Sequence, residues 1–299
     1  MTTEVTVTRP VVVGVDGSTS ATQAVCWAAR EAVRRDLPLV VVHVCALVPV
    51  AVPFAGALGA YKYVLVEEGR AWLAAARDAA KEAAPEVRVS TELTNGWAAE
   101  HLIGRSTSAE LLVLGSRGLG GFSGLLVGSV AVAVASHGHC PVVVVREADA
   151  ATGAPQDGPV VVGVDESPAG AAAIPFAFQA AATRGVPLLA VHTWMDQAIA
   201  IAWESSLATN WGQVRDEQLR LLEERLTPFR GRYPDVPVQL EIATDGPART
   251  LLGHAHTAQL VVVGSRGRGG FRGLLLGSTS QALIHHATCP VAVVPPARP

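Results

Sequence analysis

Short apolar runs alternate along the chain with longer segments in which apolar residues recur at helical spacing. Residues 11–15 are apolar on both faces, as a central parallel strand should be, and turn and capping residues follow them. A helix is predicted over residues 21–35, a second buried strand over residues 39–44, and a helix over residues 66–84 that stops at Pro85. The pattern therefore begins as strand, helix, strand, helix.

The alternation continues to the middle of the chain. It predicts a mixed polar strand, a helix opened by Gly96, a fourth strand, a helix and a fifth strand, over residues 87–93, 96–108, 111–114, 129–137 and 142–145. Strands that alternate with helices favour an α/β fold with an open, doubly wound parallel sheet. Ligands of such sheets bind beyond the carboxyl ends of the strands, near the switch in strand order.

The whole pattern occurs twice. Gly14 and Asp16 have counterparts in Gly163 and Asp165, and these pairs, like every other matched pair, are offset by 149 residues. We therefore predict two tandem domains over residues 1–148 and 160–299, joined by a linker at 149–159 that is rich in Ala, Gly, Pro and Asp.

A glycine-rich loop follows the fourth strand of each half. In the first half it has the spacing Gly115-x-x-Gly118, nine residues, then Gly128-Ser129. Glycines let the backbone approach a ligand closely, with φ free to become positive at Gly118, and their N–H groups can form a nest for anionic oxygens. Ser129 is then an N-cap or a phosphate-contacting hydroxyl. A tight strand-to-helix turn is the plain alternative, but the long spacer and the second copy favour an anion site. The loop is neither a Walker A sequence nor a dinucleotide-binding GxGxxG.

Polar side chains near these loops have two readings each. Asp16 and Asp165 either cap the following helix or contact a ribose or a nucleotide-bound Mg²⁺, and the sequence leaves these alternatives even. Arg117 and Arg266, inside the loops, either pair with phosphate or lie in solvent. His43, inside an apolar strand, is expected to be packed rather than to act as a ligand or base.

Composition narrows the class of protein. The net charge is −3 and no stretch of Lys and Arg forms a basic stripe, so we expect no nucleic-acid partner. The four cysteines lack CxxC spacing, which argues against a disulfide framework or zinc site and favours a cytoplasmic protein with reduced thiols. The N-terminal sequence lacks a signal-peptide pattern. Residues 37–60 carry no charge, but the prolines within them disfavour a membrane span.

These motifs carry a family resemblance. VVGVD and G-2x-G-9x-G-S, each present twice, together with VVVHV in the first half, closely resemble the universal stress protein family. Two copies in one chain resemble its tandem, ATP-binding actinobacterial members. The resemblance implies Rossmann-like domains of the adenine nucleotide alpha hydrolase type, each with a five-stranded, mainly parallel sheet. It also implies a stress regulator that responds to ATP, two ATP molecules per chain, Mg²⁺ with the nucleotide, a homodimer and a regulatory protein partner.

The same resemblance assigns part of the nucleotide sites residue by residue. It implies that the backbones of Val44 and Thr193 meet adenine and that Asp16 and Asp165 line the base, ribose or metal side. It implies contacts to ribose and phosphates from the motif residues Gly115, Gly118, Gly128, Ser129, Gly264, Gly267, Gly277 and Ser278. The further predicted contacts are Gly14, Ser116, Arg117, Gly120, Gly121 and Val130 in the first half and Gly163, Ser265, Arg266, Arg268, Gly269, Gly270 and Thr279 in the second.

Two features of these sites depart from a simple repetition. Thr193 stands at the position of Val44, which keeps a backbone contact to the base but changes the packing against it. Arg268 and Arg272 replace Leu119 and Ser123 of the first loop, so we expect tighter phosphate binding in the second half.

The function class has alternatives. No acid/base pair or activated nucleophile stands at the loop, so we predict no catalytic residue and a binding protein rather than an enzyme. A slow ATP hydrolase or phosphotransfer enzyme is the alternative. A pure interaction protein with degenerate sites is disfavoured by the intact loops in both halves.

Overall fold

The computed structural model describes residues 8–46, 55–119, 127–146, 157–194, 211–267 and 276–297. Its contacts divide the chain into two compact units, Met1–Glu147 and Ala148–Pro299. Most of the predicted linker, residues 149–156, lies outside the described residues.

The first unit alternates strands and helices as predicted. Its described strands are β1 (Val11–Gly14), β2 (Leu39–Cys45), β3 (Val89–Asn95), β4 (Leu111–Gly115) and β5 (Val142–Val145). Its described helices are α1 (Thr19–Arg34), α2 (Ala55–Ala83), α3 (Ala98–Arg105) and α4 (Ser129–His137).

The strands of the first unit pair in the order β3-β2-β1-β4-β5, and each pair is parallel. Helices α1 and α2 pack against each other, and α3 and α4 do the same, because the crossovers change face when the strand order reverses between β1 and β4. That reversal leaves a crevice beyond the carboxyl ends of β1 and β4, where such sheets bind ligands.

The second unit repeats this arrangement. Its described strands are β6 (Val160–Gly163), β7 (Leu188–Thr193), β8 (Val238–Ala243), β9 (Leu260–Gly264) and β10 (Val291–Val294). Its described helices are α5 (Pro168–Arg184), α6 (Trp211–Arg232), α7 (Pro247–His254) and α8 (Ser278–His286). The order β8-β7-β6-β9-β10 is again parallel throughout. The predicted fold, two doubly wound α/β domains with five-stranded sheets, is confirmed.

Small aliphatic residues build both cores. The residues of β1, β4 and β5 are buried except for Gly115, and α1 turns a face of alanines and Val25 toward them. β3 and β8 are polar on one side and only half buried, which is why their sequences mix polar and apolar residues.

Several element boundaries differ from the sequence prediction; β3, for example, covers Val89–Asn95 rather than residues 87–93. α2 begins at Ala55, eleven residues before the predicted start, because its first turns carry no charged residues to reveal an amphipathic period. α3 begins at Ala98 rather than Gly96, since Gly96 has a φ of 135°, outside the helical region. The same helix ends at Arg105, and residues 106–108 form turns.

Serine residues, not the aspartates, cap the first helix of each unit. The side chain of Ser18 accepts a hydrogen bond from the Ala21 N–H at 3.1 Å, and Ser167 accepts one from Gly170 at 2.9 Å. The capping alternative considered for Asp16 and Asp165 is therefore wrong. Pro168, at the first position of α5, has the φ that a helix start needs.

The cysteines are free thiols, as the sequence predicts, and three of the four are buried. Burial raises the pKa of Cys140 and of Cys289 to about 12, so both remain neutral at physiological pH. Among the described residues, no helix is both long and apolar enough to cross a membrane.

Candidate functional site

A cavity of about 530 Å³ opens in the first unit where the strand order reverses. Its walls are the carboxyl ends of β1, β2 and β4, the start of α3, the glycine loop and the start of α4. The predicted site residues that line it are Gly14, Asp16, Val44, Gly115, Arg117, Gly118, Gly128, Ser129 and Val130. The volume lies within the roughly 300–1,000 Å³ of small-molecule pockets.

The remaining predicted residues of the first half are Ser116, Gly120 and Gly121. Ser116 is 1% exposed and uses its N–H to bond the Val145 carbonyl at 2.8 Å. Gly120 and Gly121 lie outside the described residues.

The two ends of the glycine loop are held together by the backbone. The Gly128 N–H donates to the Ser116 carbonyl at 2.7 Å, so the chain returns to the end of β4 before α4 begins. Gly128 is the N-cap of α4 and Ser129 is its first residue, so of the two alternatives for Ser129 the N-cap is wrong. The Ser129 hydroxyl is thus at the first turn of a helix, where the N–H groups and the helix dipole favour an anion.

Asp16 ties the end of β1 to the glycine loop. Its Oδ1 accepts a hydrogen bond from the Ser18 N–H at 3.1 Å, and its Oδ2 accepts one from the Leu119 N–H at 3.0 Å. The Ser18 hydroxyl also donates to the Arg117 carbonyl at 3.2 Å. The carboxylate therefore fixes the position of the loop in addition to facing the cavity.

Close approach, not a left-handed backbone, is the reason for glycine at position 118. Among the described glycines, φ is positive at Gly17, Gly96 and Gly185, so the expected positive φ at Gly118 is wrong. A Cβ on Gly118 would overlap Oδ2 of Asp16. A Cβ on Gly115 would lie 2.6–2.7 Å from Ser20 atoms, including its backbone carbonyl. These two glycines let the loop lie against β1 and α1.

His43 is a buried structural residue at the back of the cavity. Its Nδ1 lies 2.8 Å from the Val15 carbonyl and its ring meets that of Trp72 edge-on, with centroids 5.0 Å apart. Trp72 also covers Gly17, where φ is 86° and a Cβ would lie within 2.8 Å of the indole. The expectation of a packed histidine is met by these contacts.

Arg146, which the sequence analysis did not single out, is close enough to Arg117 for the two charges to interact, but it is not among the residues that line the described cavity. It follows β5 directly, and burial lowers the pKa of its guanidinium while the charge of Arg117 lowers it further. The sequence does contain a signal for this residue. Arg146 is a basic residue directly after β5, whereas the second half has Pro295 at the corresponding position.

The second half builds the same framework with different side chains. Asp165 Oδ1 accepts hydrogen bonds from the Ser167 N–H at 3.0 Å and the Ser167 hydroxyl at 2.5 Å. A Cβ on Gly267 would lie 2.8 Å from Asp165 Oδ2. In place of Trp72 over Gly17, Arg225 bonds the Asp165 carbonyl at 3.0 Å and pairs with Glu166 at 3.2 Å.

The other predicted residues of the second half take matching places. Gly163 ends β6, Thr193 ends β7 and Gly264 ends β9. Backbone bonds again close the loop: Ser265 donates to Val294 and Gly277 to Ser265, each at 2.8 Å. Ser278 and Thr279 begin α8 after the cap Gly277, and Arg266 precedes Gly267. Arg268, Gly269, Gly270 and Arg272 lie outside the described residues.

Comparison with known proteins assigns a family to both halves. Residues 8–146 and 158–295 each match the sequence model of the universal stress protein family. A universal stress protein of Mycobacterium tuberculosis is 41% identical over 290 residues, which cover 95% of this chain and 96% of the relative. One of Mycolicibacterium smegmatis is 38% identical over 291 residues, covering 96% and 97%.

A solved structure has the same architecture. The crystal structure of a universal stress protein from Archaeoglobus fulgidus aligns with a TM-score of 0.68 over 96% of this chain and 98% of that one. Sequence identity is 19%, so this likeness concerns the fold alone.

Proposed function

This chain belongs to the universal stress protein family, and from that membership we propose that it binds one ATP in each half and acts as a nucleotide-responsive stress regulator. The observation that carries the proposal is the cavity of about 530 Å³ at the switch point of the first sheet. One side of it is the backbone of a glycine loop that leads into the N-terminus of α4, a surface suited to anionic oxygens.

Each part of the proposed site would contact a different part of the nucleotide. The backbone of Val44 or Thr193 would meet the adenine, and Asp16 or Asp165 would face the ribose or the metal. The glycine loop and the first turn of α4 or α8 would hold the phosphates. Ser129 lines the described cavity at the first turn of α4, so the first half offers a hydroxyl beside the N-terminus of that helix.

Mg²⁺ fits this site as a companion of the nucleotide. The described residues contain no cluster of three or more His, Cys, Asp or Glu side chains that would hold a metal ion by themselves. Mg²⁺ commonly binds through one or two carboxylates together with phosphates of the ligand. Asp16 and Asp165 are the candidate carboxylates, and each already accepts a backbone hydrogen bond that orients it.

The first prediction concerns stoichiometry. Because both halves keep the loop glycines and the serine, calorimetric titration of nucleotide-free protein with ATP is expected to show two sites per chain. Mass spectrometry of the protein as purified should identify the bound nucleotide. A titration that fits one site, or binding of adenosine and ATP with equal affinity, would contradict the proposed use of both phosphate loops.

The second prediction concerns turnover. The titratable side chains that line the described cavity are Asp16, His43 and Arg117. Asp16 accepts two backbone hydrogen bonds and His43 is bonded to a carbonyl, so neither is placed to activate water. We expect ATP hydrolysis far below the roughly 10 per second typical of enzymes. Phosphate release near that rate, with Mg²⁺ present and abolished by Asp16→Asn, would support the hydrolase alternative.

Three further proposals accompany the regulatory role. The chain forms a homodimer, acts in the cytoplasm and transmits its nucleotide state to a protein partner. Size-exclusion chromatography with light scattering, with and without ATP, tests the first of these.

A further inference from the structure

The carboxylates of Asp16 and Asp165 take different positions in their two halves. Asp16 lines the cavity of the first half, and its two oxygens hold the N–H groups of Ser18 and Leu119. In the second half a single oxygen of Asp165, Oδ1, accepts both the N–H and the hydroxyl of Ser167, at 3.0 and 2.5 Å. Because Ser167 is the N-cap of α5, the second carboxylate is directed toward the start of that helix.

The residue three positions after each N-cap explains this difference. It is Ala21 in the first half, where it is buried and lines the cavity, and Gly170 in the second. A Cβ on Gly170 would overlap Oδ1 of Asp165, so the carboxylate occupies the space that an alanine side chain would fill. The φ of Gly170 is not positive, so its backbone would accept alanine and the nearest obstacle is this carboxylate oxygen.

The start of α5 stabilises the negative charge of Asp165. The Ser167 hydroxyl that bonds Oδ1 also accepts the Gly170 N–H at 2.9 Å, so it joins the carboxylate to the first turn of the helix. The N-terminus of a helix favours a negative charge. In the first half the Cβ of Ala21 fills the equivalent space, and Asp16 faces the cavity. A carboxylate that faces a polyphosphate repels it, and Mg²⁺ removes that repulsion by binding both.

We propose that the residue at positions 21 and 170 determines how strongly each half depends on Mg²⁺ when it binds ATP. Ala21 keeps the carboxylate of Asp16 in the cavity, where it is a ligand for nucleotide-bound Mg²⁺. Gly170 lets the carboxylate of Asp165 turn toward α5, so the second half binds ATP with little dependence on the metal. This inference rests on the proposed function and adds to it a residue that determines which form of the nucleotide each half accepts.

The experiment measures each half separately in the full-length chain. Gly267→Val disables the second loop for measurements on the first half, and Gly118→Val does the reverse. Calorimetry then gives the affinities for ATP and for adenosine, with Mg²⁺ and with EDTA. We expect removal of Mg²⁺ to weaken ATP binding about tenfold in the first half and about twofold in the second. Adenosine has no phosphate, so its affinity should not depend on Mg²⁺ in either half.

Exchanging the two residues tests their role directly. Gly170→Ala is expected to displace the Asp165 carboxylate from the start of α5 and to raise the Mg²⁺ dependence of the second half toward that of the first. Ala21→Gly should lower the Mg²⁺ dependence of the first half. Gly253→Ala is the control, because a Cβ on this residue of α7 would meet no atom within 4 Å. The control should leave ATP affinity and its Mg²⁺ dependence unchanged.

Three results would overturn this assignment and leave the proposed function in place. The first is equal Mg²⁺ dependence in the two parent halves, and the second is a Gly170→Ala variant whose Mg²⁺ dependence does not change. The third is a change of adenosine affinity in place of Mg²⁺ dependence, since the carboxylate would then contact the ribose rather than the metal. If either half binds no ATP even with Mg²⁺ present, the proposed function fails there and the assignment fails with it.

Discussion

Replacing Gly118 with alanine is expected to remove ATP binding from the first half and to leave one site per chain. The new Cβ would overlap Oδ2 of Asp16, the atom that accepts the Leu119 N–H at 3.0 Å. Either the carboxylate turns away and releases the loop, or the loop shifts from the end of β1. Both responses displace the backbone that forms the phosphate surface. We expect the first-half affinity to fall at least about tenfold, which calorimetry resolves as a change in stoichiometry.

Gly104→Ala is the control for this substitution. Gly104 lies in α3, whose start borders the cavity, but a Cβ added to Gly104 would meet no atom within 4 Å, and the φ of this residue is not positive. This change should leave both ATP sites intact and raise the free energy of unfolding by about 0.4–1 kcal/mol, because alanine restricts the unfolded chain. If Gly118→Ala retains two sites of unchanged affinity, the loop does not hold phosphate in the way proposed.

Gly267→Ala provides a graded comparison in the second half. The added methyl would lie 2.8 Å from Asp165 Oδ2, a smaller intrusion than at Gly118. The Asp165 carboxylate is held by Ser167 through Oδ1, and a small movement of Oδ2 relieves the contact. The loss of affinity in the second half should therefore be smaller than in the first.

The fold can be predicted from the sequence because each strand and helix is indicated by residues that are close together in the chain. Strands such as Val142–Val145 are buried on both faces, and a run of four valines indicates this directly. The positions of Gly115 and Gly118 also follow from the spacing in the two copies. The reason for Gly118 does not, because the sequence cannot show that the Asp16 carboxylate lies against it.

Arg146 shows a second limit of sequence reasoning. Its place beside Arg117 depends on the register between β4 and β5, which aligns Gly115 with Val145. Apolar runs predict that two strands exist but do not specify which residues lie side by side. The choice of N-cap for α1 was also hidden from the sequence. Asp16 and Ser18 both have side chains that can cap a helix, and only the structure shows that Ser18 is the one that accepts the hydrogen bond from the helix.

Glu31 in α1 is the clearest case of a residue whose environment the sequence conceals. Glu31 and Arg35 are four apart, a spacing that usually indicates an exposed ion pair on a helix surface. Here the Glu31 side chain is 0% exposed and that of Arg35 is 2% exposed, with Arg35 Nε 2.6 Å from Glu31 Oε1. Helix α1 packs on α2 and on strands of the sheet, and the pair is enclosed in that packing.

We expect Glu31→Ala to lower the free energy of unfolding by about 3–5 kcal/mol, because it leaves the Arg35 guanidinium buried without its carboxylate. Glu31→Gln keeps the volume and an acceptor oxygen, so its loss should be smaller. In the second half Ala180 stands at the equivalent position, and Arg184 there donates to the Ala180 carbonyl at 3.0 Å. The double substitution Glu31→Ala with Arg35→Leu removes both charges and should recover most of the stability. Urea unfolding followed by circular dichroism measures all three variants, and a loss below about 1 kcal/mol for Glu31→Ala would show that the buried pair contributes no more than an exposed one.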